Sequence, residues 1–179
     1  TDIQDKTIKS FSHDLSKLRY FYIYALSAIT VLGLPACLGL SLISPIFVPL
    51  FLGDNWNKAI PVIQILGFAH ALLCINTNAT YIFTALGKPY INTITLSIRV
   101  VLLLPVLFWL IFTIGYLGAA YAMIIVTVMM FPVYFILLKR EIDLSFIEYI
   151  KPIYRPALAS IFMYLVTSKT IFNSYFYSS

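Results

Sequence analysis

One cation of this sequence lies inside a long apolar stretch, where its side chain could bind an anion. Arg99 follows Asn92 and Thr95 in the segment Pro89–Gly115, and this spacing places the three side chains on one face of a helix. A guanidinium binds two phosphate oxygens at once, so the face suits an anionic ligand such as a diphosphate. The structural alternative is that Arg99 pairs with carbonyl groups of a neighbouring helix or extends toward the membrane surface.

The depth of Arg99 favours the functional interpretation. Arg99 lies about ten residues, or about 15 Å of helix, from the charged turn at Lys88, which is roughly half the thickness of the membrane hydrocarbon. A charge at that depth costs at least about 2.5–3.5 kcal/mol unless it has a partner or faces water. We therefore expect Arg99 to line a cavity, with Asn92 and Thr95 beside it.

Two polar side chains of the preceding apolar run, Gln64 and Asn76, are further candidates for the cavity. Asn76, Thr80 and Thr84 recur every four residues, which places them on one helix face. Polar contacts between membrane helices contribute only about 0.6–2 kcal/mol, and helix packing is the favoured role for this face. Gln64 could face either a neighbouring lobe or a cavity.

Acidic residues are missing from every apolar run, and this argues against catalysis. We find no paired carboxylates, no cluster with metal-ligand spacing, no glycine-rich phosphate loop and no Ser/His/Asp set. The sequence therefore predicts a protein that is not an enzyme, with no metal and no cofactor. A transporter that is coupled to cations normally keeps an intramembrane carboxylate, so a drug or cation exporter fits this part of a protein less well.

The composition predicts an integral membrane protein. Of 179 residues, 61% are hydrophobic and 11% are charged, against about 25% charged in a typical soluble domain. Three runs without a charged side chain, Tyr20–Gly53, Ala59–Gly87 and Val100–Leu138, are each long enough to cross a membrane. Such runs form helices in lipid, because backbone groups must be satisfied internally there.

We therefore predict an all-α, multi-pass bundle of about five transmembrane helices. The expected spans are residues 20–42, 57–86, 89–114, 119–138 and 156–171. Residues 1–19 form a lead-in, 139–155 an interfacial segment and 172–179 a tail. Residues 44–56, with two prolines and Gly53, predict a re-entrant or interfacial turn, and glycines predict tight turns at 85–89 and 115–118.

The cations predict the orientation of the bundle. With the N-terminus in the cytoplasm, nine Lys and Arg side chains fall in the inner segments and two in the outer ones. Cytoplasmic loops carry such an excess of positive charge. The inner cations are Lys6, Lys9, Lys17, Arg19, Lys88, Lys139, Arg140, Lys151 and Arg155, and the outer ones are Lys58 and Lys169.

Several short motifs occur in a fixed order along residues 11–166. The motifs are Leu34-Pro35, Gly39-Leu40, Phe51-Leu52-Gly53-Asp54-Asn55-Trp56, Gln64-Ile65-Leu66, Ala85-Leu86-Gly87-Lys88-Pro89, Gly115-Tyr116-Leu117-Gly118-Ala119-Ala120-Tyr121-Ala122 and Arg155-Pro156-Ala157-Leu158. This ordered set resembles the polysaccharide-biosynthesis and O-antigen flippases of the MATE-like (MOP) superfamily.

The resemblance implies a fold, a substrate and a location. Such proteins have twelve or more helices in two pseudo-symmetric lobes, and this chain resembles a C-terminal portion, from about the seventh helix onward. The implied activity is movement of a lipid-linked (polyprenyl diphosphate) oligosaccharide across the bacterial or archaeal cytoplasmic membrane by alternating access. The implied partners are this substrate, membrane lipids and an N-terminal lobe of the same transporter, with no nucleic acid. Alternatives are a multidrug or cation exporter of the same superfamily, a membrane enzyme of glycan assembly and a scaffold protein.

Overall fold

The computed structural model describes the backbone of residues 2–177 and the side chains of residues 16–169, and the backbone of this part forms helices joined by short turns. The elements are α1 (Asp2–Leu52), the 3-10 helix η1 (Asp54–Ala59), α2 (Ile60–Ala85), α3 (Tyr90–Ile114), α4 (Leu117–Ile142) and α5 (Phe146–Tyr177). The predicted all-α helix bundle is confirmed.

Four segments of the described chain are long and apolar enough to cross a membrane: Ser16–Leu52, Asp54–Ala85, Tyr90–Ile114 and Leu117–Ile142. The protein is therefore a multi-pass membrane protein. Within residues 16–169, α5 is not among the segments long and apolar enough to cross a membrane, and it carries Glu148, Lys151 and Arg155. The fifth span stays a prediction.

The helices pack in a row whose order differs from their order in the sequence. α5 packs against α1, α1 against α2, α2 against α4, and α4 against α3. The consecutive helices α2 and α3 touch each other only slightly. As a result α3 and α5 form the two outer helices of the row, each with one well-packed neighbour.

A single large core fills the middle of the row. Leu26, Phe83, Met130, Leu138 and Tyr149, from four different helices, are almost completely buried there. Apolar side chains gain nothing from leaving lipid, so close packing rather than the hydrophobic effect stabilises such a membrane core. The core therefore holds α1, α2, α4 and the first turns of α5 together.

Small residues allow the closest helix approaches. A Cβ atom placed on Gly118 would lie 2.2 Å from the carbonyl oxygen of Leu110, where α4 meets α3. A Cβ on Gly67 would lie 2.7 Å from the Cβ of Ser41, where α2 meets α1. Membrane helices commonly approach at such small residues, which let two backbones come near each other.

Residues 44–52 differ from the sequence prediction. They continue α1 as helix instead of forming a turn, and the chain breaks only at Gly53. Proline removes the hydrogen bond to the carbonyl four residues earlier, and for Pro45 that carbonyl belongs to Ser41. The hydroxyl of Ser44 donates to this carbonyl at 2.8 Å, so the helix continues without an unpaired acceptor.

Residues 139–155 contain the end of α4 and the start of α5, and their interfacial location stays a prediction. α4 extends to Ile142, and the chain turns through Asp143, which has a left-handed backbone with φ 50°, before α5 begins at Phe146. The two predicted tight turns are confirmed, with positive φ at Gly87 and Gly115. Glycine adopts this backbone conformation without steric cost.

Candidate functional site

Arg99 lies near the middle of α3, on one outer helix of the row, and its side chain is half-buried. Within residues 16–169 its guanidinium makes no hydrogen bond and no ion pair. The alternative in which Arg99 pairs with carbonyl groups of a neighbouring helix is therefore not seen in the described part. An unpaired cation at this depth requires a counter-charge or water from elsewhere.

Asn92 connects α3 to α2 near the turn between them. Its amide nitrogen donates to the hydroxyl of Thr84 at 3.0 Å and to the carbonyl of Thr80 at 3.2 Å. The amide oxygen of Asn92 is buried and accepts no hydrogen bond in the described structure. One end of the Asn92 side chain therefore serves helix packing, and its acceptor end has no partner.

Thr95 is only 1% exposed, so it does not line an open cavity within this part of the protein. Its hydroxyl donates back to its own helix, to the carbonyls of Ile91 and Asn92 at 3.0 Å each. This local bond is usual for threonine within a helix. Of the three residues predicted on one face of α3, Asn92 and Arg99 thus keep polar atoms without a partner.

The two candidates on α2 have different surroundings. Asn76 is 1% exposed and faces α4, where its amide nitrogen lies 3.4 Å from the carbonyl of Thr127. The amide oxygen of Asn76 and the hydroxyl of Thr127 are both buried without a partner among the described residues. Gln64 is half-buried, and its backbone carbonyl accepts a bond from Ser41 at 2.9 Å. These contacts suit the packing role.

A groove between α1 and α5 was not predicted from the sequence. This α1–α5 groove has a volume of about 1130 Å³ and is lined by one face of each helix, a size typical of ligand sites. Its charged end is lined by Tyr20, Tyr24, Lys151 and Arg155, and its apolar end by Val31 and Met163. The available signal was the spacing of Glu148, Lys151 and Arg155, which places them on one face of a helix.

One ion pair and hydrogen bonds determine the charge at the start of the groove. Arg19 of α1 donates to the carboxylate of Glu148, which also accepts from the backbone amide of Ser145 at 3.1 Å. Glu148 is therefore neutralised. Arg155 donates from Nε to the hydroxyl of Tyr154 at 2.9 Å, and neither Arg155 nor Lys151 has an acidic partner among the described residues.

A second ion pair lies at the same end of the helix bundle, where α4 ends and α5 begins. Lys88, in the turn between α2 and α3, donates to the carboxylate of Glu141 near the end of α4 at 2.5 Å. This hydrogen bond raises the pKa of Lys88, so the ammonium group stays charged. The pair ties the α2–α3 turn to α4, although α2 and α3 themselves pack loosely.

Comparison with known proteins identifies relatives of this chain. Residues 7–61 match the family described as polysaccharide biosynthesis protein. A membrane protein of the cps region of Klebsiella pneumoniae is 26% identical over 160 residues, which cover 89% of this chain and 33% of that protein. The lipopolysaccharide biosynthesis protein WzxC of Escherichia coli K12 is 45% identical over 53 residues, 30% of this chain and 11% of WzxC.

The chain thus spans about a third of the length of the Klebsiella relative. No solved structure matches it significantly. The family match and both relatives agree with the ordered motifs of the sequence. These matches support the resemblance of this chain to the polysaccharide biosynthesis and O-antigen flippase family of membrane proteins.

Proposed function

We propose that this chain is part of a flippase that moves lipid-linked oligosaccharide, carried on a polyprenyl diphosphate, across a membrane for surface polysaccharide biosynthesis. The observation that carries the proposal is Arg99, a half-buried guanidinium in a membrane-length helix without a partner in residues 16–169. A cation at that depth needs compensation. A diphosphate supplies it, because its oxygens accept bidentate bonds from guanidinium.

The proposed mechanism is alternating access, in which two lobes rock around a site near the middle of the membrane. This chain supplies helices of one lobe, and an N-terminal lobe of the same transporter supplies the facing wall. Arg99 binds the diphosphate, and Asn92 holds α3 against α2 beside it through its bonds to Thr84 and Thr80. The chain catalyses no reaction and needs no cofactor.

The proposed location is the cytoplasmic membrane of a bacterium or archaeon, with the start of α1 on the cytoplasmic side. The charge distribution supports this orientation, because most Lys and Arg residues within 16–169 belong to the segments at the end of the bundle with the α2–α3 turn, the end of α4 and the start of α5. Both described ion pairs, Arg19 with Glu148 and Lys88 with Glu141, lie at that end. Cytoplasmic segments carry such an excess of cations.

Substitution of Arg99 tests the proposed role. We expect Arg99→Ala in the full-length protein to reduce surface polysaccharide at least about tenfold at matched expression, because a lost charge-assisted contact contributes about 1.5–3 kcal/mol. Arg99→Lys keeps the charge but loses the bidentate geometry, so we expect partial export. The control is Ser97→Ala, an exposed side chain two residues away whose hydroxyl bonds its own helix. Normal export by both Arg99 variants would overturn the role.

Water access to position 99 is a second measurement, which does not depend on export. Arg99→Cys in a background with Cys37→Ser and Cys74→Ser leaves one reactive thiol in this chain. If residue 99 lines a cavity, a charged thiol reagent that cannot cross lipid should label it from at least one side. A thiol that stays unlabelled from both sides in a folded protein would place residue 99 against lipid or protein and contradict the cavity.

A further inference from the structure

The α1–α5 groove has the length and direction of a membrane lipid. α1 and α5 run the same way, because Arg19 pairs with Glu148 and Thr30 lies 3.4 Å from the carbonyl of Pro152, further along both helices. On α1 the lining residues extend from Tyr20 to Pro35. Fifteen residues of helix correspond to about 22 Å, about the thickness of one half of a bilayer with its headgroup region.

The polarity of the groove changes along its length. Its first part is lined mainly by cationic and hydroxyl-bearing side chains, Tyr20, Tyr24, Lys151, Tyr154 and Arg155, together with Ile23 and Glu148. Its far part is lined mainly by the apolar Val31, Pro35, Ala159 and Met163, with the hydroxyl of Ser160 among them. A ligand that matches both parts has an anionic head and a hydrocarbon chain.

The first part of the groove carries positive charge that can bind an anionic headgroup. Glu148 is occupied by Arg19 and by the amide of Ser145, while Lys151 and Arg155 have no acidic partner within residues 16–169. The bond from Nε of Arg155 to Tyr154 orients the guanidinium and leaves its two terminal nitrogens without a bond in the described part. An oxyanion beside Lys151 and Arg155 would give both side chains an anionic partner.

Ser160 adds a second and independent indication of a ligand. It lines the groove, is 2% exposed, and its hydroxyl has no hydrogen-bond partner among the described residues. Ser160 follows Arg155 by five residues, which is about 7.5 Å deeper along α5. In a diacyl glycerophospholipid the ester carbonyls lie deeper than the phosphate, so they suit a donor at this position.

We propose that the α1–α5 groove binds an anionic diacyl glycerophospholipid. Lys151 and Arg155 bind its phosphate, the hydroxyl of Ser160 donates to an ester carbonyl, and an acyl chain lies along Val31, Pro35 and Met163. Basic pockets between transmembrane helices bind anionic headgroups in this way. The site is separate from Arg99, which lies on the opposite outer helix, and it does not depend on the proposed transport.

Lipid binding by the full-length protein tests the site. The probes are phosphatidylglycerol and phosphatidylcholine, added to the delipidated protein in detergent, with bound lipid counted by native mass spectrometry. We expect a preference for phosphatidylglycerol that falls roughly thirtyfold in the double variant Lys151→Gln/Arg155→Gln, since each cation contributes a factor of about five. The matched control is Lys139→Gln/Arg140→Gln, which removes the same charge from exposed positions of α4 outside the groove.

Two further arms identify the ligand. Ser160→Ala should weaken binding of diacyl phosphatidylglycerol about two- to fivefold and leave binding of the diether analogue, which has no ester carbonyl, unchanged. Ala159→Phe should weaken both lipids by filling the apolar part of the groove. The first arm tests the ester contact and the second tests the position of the chain.

Three results would overturn the proposal. An equal loss in the Lys139→Gln/Arg140→Gln control would indicate a general surface charge effect. Displacement of phosphatidylglycerol by farnesyl diphosphate at equal concentration would assign the groove to an isoprenoid diphosphate, and displacement by inorganic diphosphate would assign it to a free anion. Because the readout is bound lipid and not exported polysaccharide, failure here is distinguishable from failure of the flippase proposal.

Discussion

The two outer helices of the row, α3 and α5, both carry cations, but the depth and the surroundings of those cations differ. On α3, Arg99 lies in the middle of an apolar helix, with no partner in the described residues. On α5, Lys151 and Arg155 lie in the first three turns, are exposed, and line a groove. A cation near a helix end can reach the aqueous surface, whereas a cation at mid-depth cannot do so without cost.

The attachment of the two helices differs as well. α5 packs along α1, and aromatic contacts also hold its first turn against α4: the ring of Tyr149 lies 5.3 Å from that of Phe131 and 5.8 Å from that of Phe135. α3 is held by close backbone approach, because Gly118 of α4 admits the carbonyl of Leu110. The contact between α5 and α4 therefore depends on the volume of large side chains, whereas the contact between α3 and α4 depends on the absence of a side chain at Gly118.

The largest expected effect is at the attachment of α5. Tyr149→Ala should lower the free energy of unfolding by about 3–5 kcal/mol, because it leaves a cavity in the core. Tyr149→Phe is the matched variant, and it should leave stability unchanged or raise it, because the hydroxyl that it removes is buried without a partner in the described structure. Thermal unfolding of the purified full-length protein measures both.

A Tyr149→Phe variant that is as unstable as Tyr149→Ala would show that the hydroxyl has a partner, and would contradict attachment of α5 by ring packing alone. A Tyr149→Ala variant with unchanged stability would show that the first turns of α5 are not part of the core.

A smaller effect is expected at the attachment of α3. Gly118→Ala places a methyl group against the backbone of Leu110 and should destabilise the protein by about 1–3 kcal/mol. Gly39→Ala is the control, because a Cβ atom on Gly39 meets no atom within 4 Å. The measurement is the yield and unfolding temperature of each variant at equal expression. Equal behaviour of the two variants would contradict the close approach of α3 and α4.

The smallest expected effect is at the polar contact between α2 and α3. Asn92→Ala removes the bond to Thr84 and should lower stability by only about 0.6–1.7 kcal/mol, as for other polar contacts between membrane helices. A double-mutant cycle with Thr84→Ala isolates this contact. A coupling energy near zero would contradict a stabilising bond between Asn92 and Thr84.

Much of the architecture could be predicted from the sequence. The charge-free runs predicted apolar helices, and the structure has four segments able to cross a membrane. Gly87 and Gly115 predicted two turns, and both adopt positive φ. Residues 44–52 could not be predicted, because Pro45 is a local helix-breaking signal, and Ser44 compensates for it through a hydrogen bond that only the folded helix provides.

The candidate site was predictable only in part. Arg99, Asn92 and Thr95 share a face by their spacing alone, yet Thr95 is buried and bonds its own helix. The α1–α5 groove could not be predicted, because its two walls are more than a hundred residues apart in the chain. Which helix lies beside α1 depends on packing across the whole row, and spacing within one helix contains no information about it.

The sequence alone predicts a bundle of membrane helices with one cation at mid-depth. The length of an apolar run and the charges within it decide whether that segment is stable in lipid, and both are local properties of the sequence. Its ordered motifs also indicate the family that the comparisons support. Only the tertiary structure decided that α3 and α5 are the outer helices and that α2 packs on α4. Helix order depends on where small residues let backbones approach and where large rings fill space, and these are properties of pairs of helices.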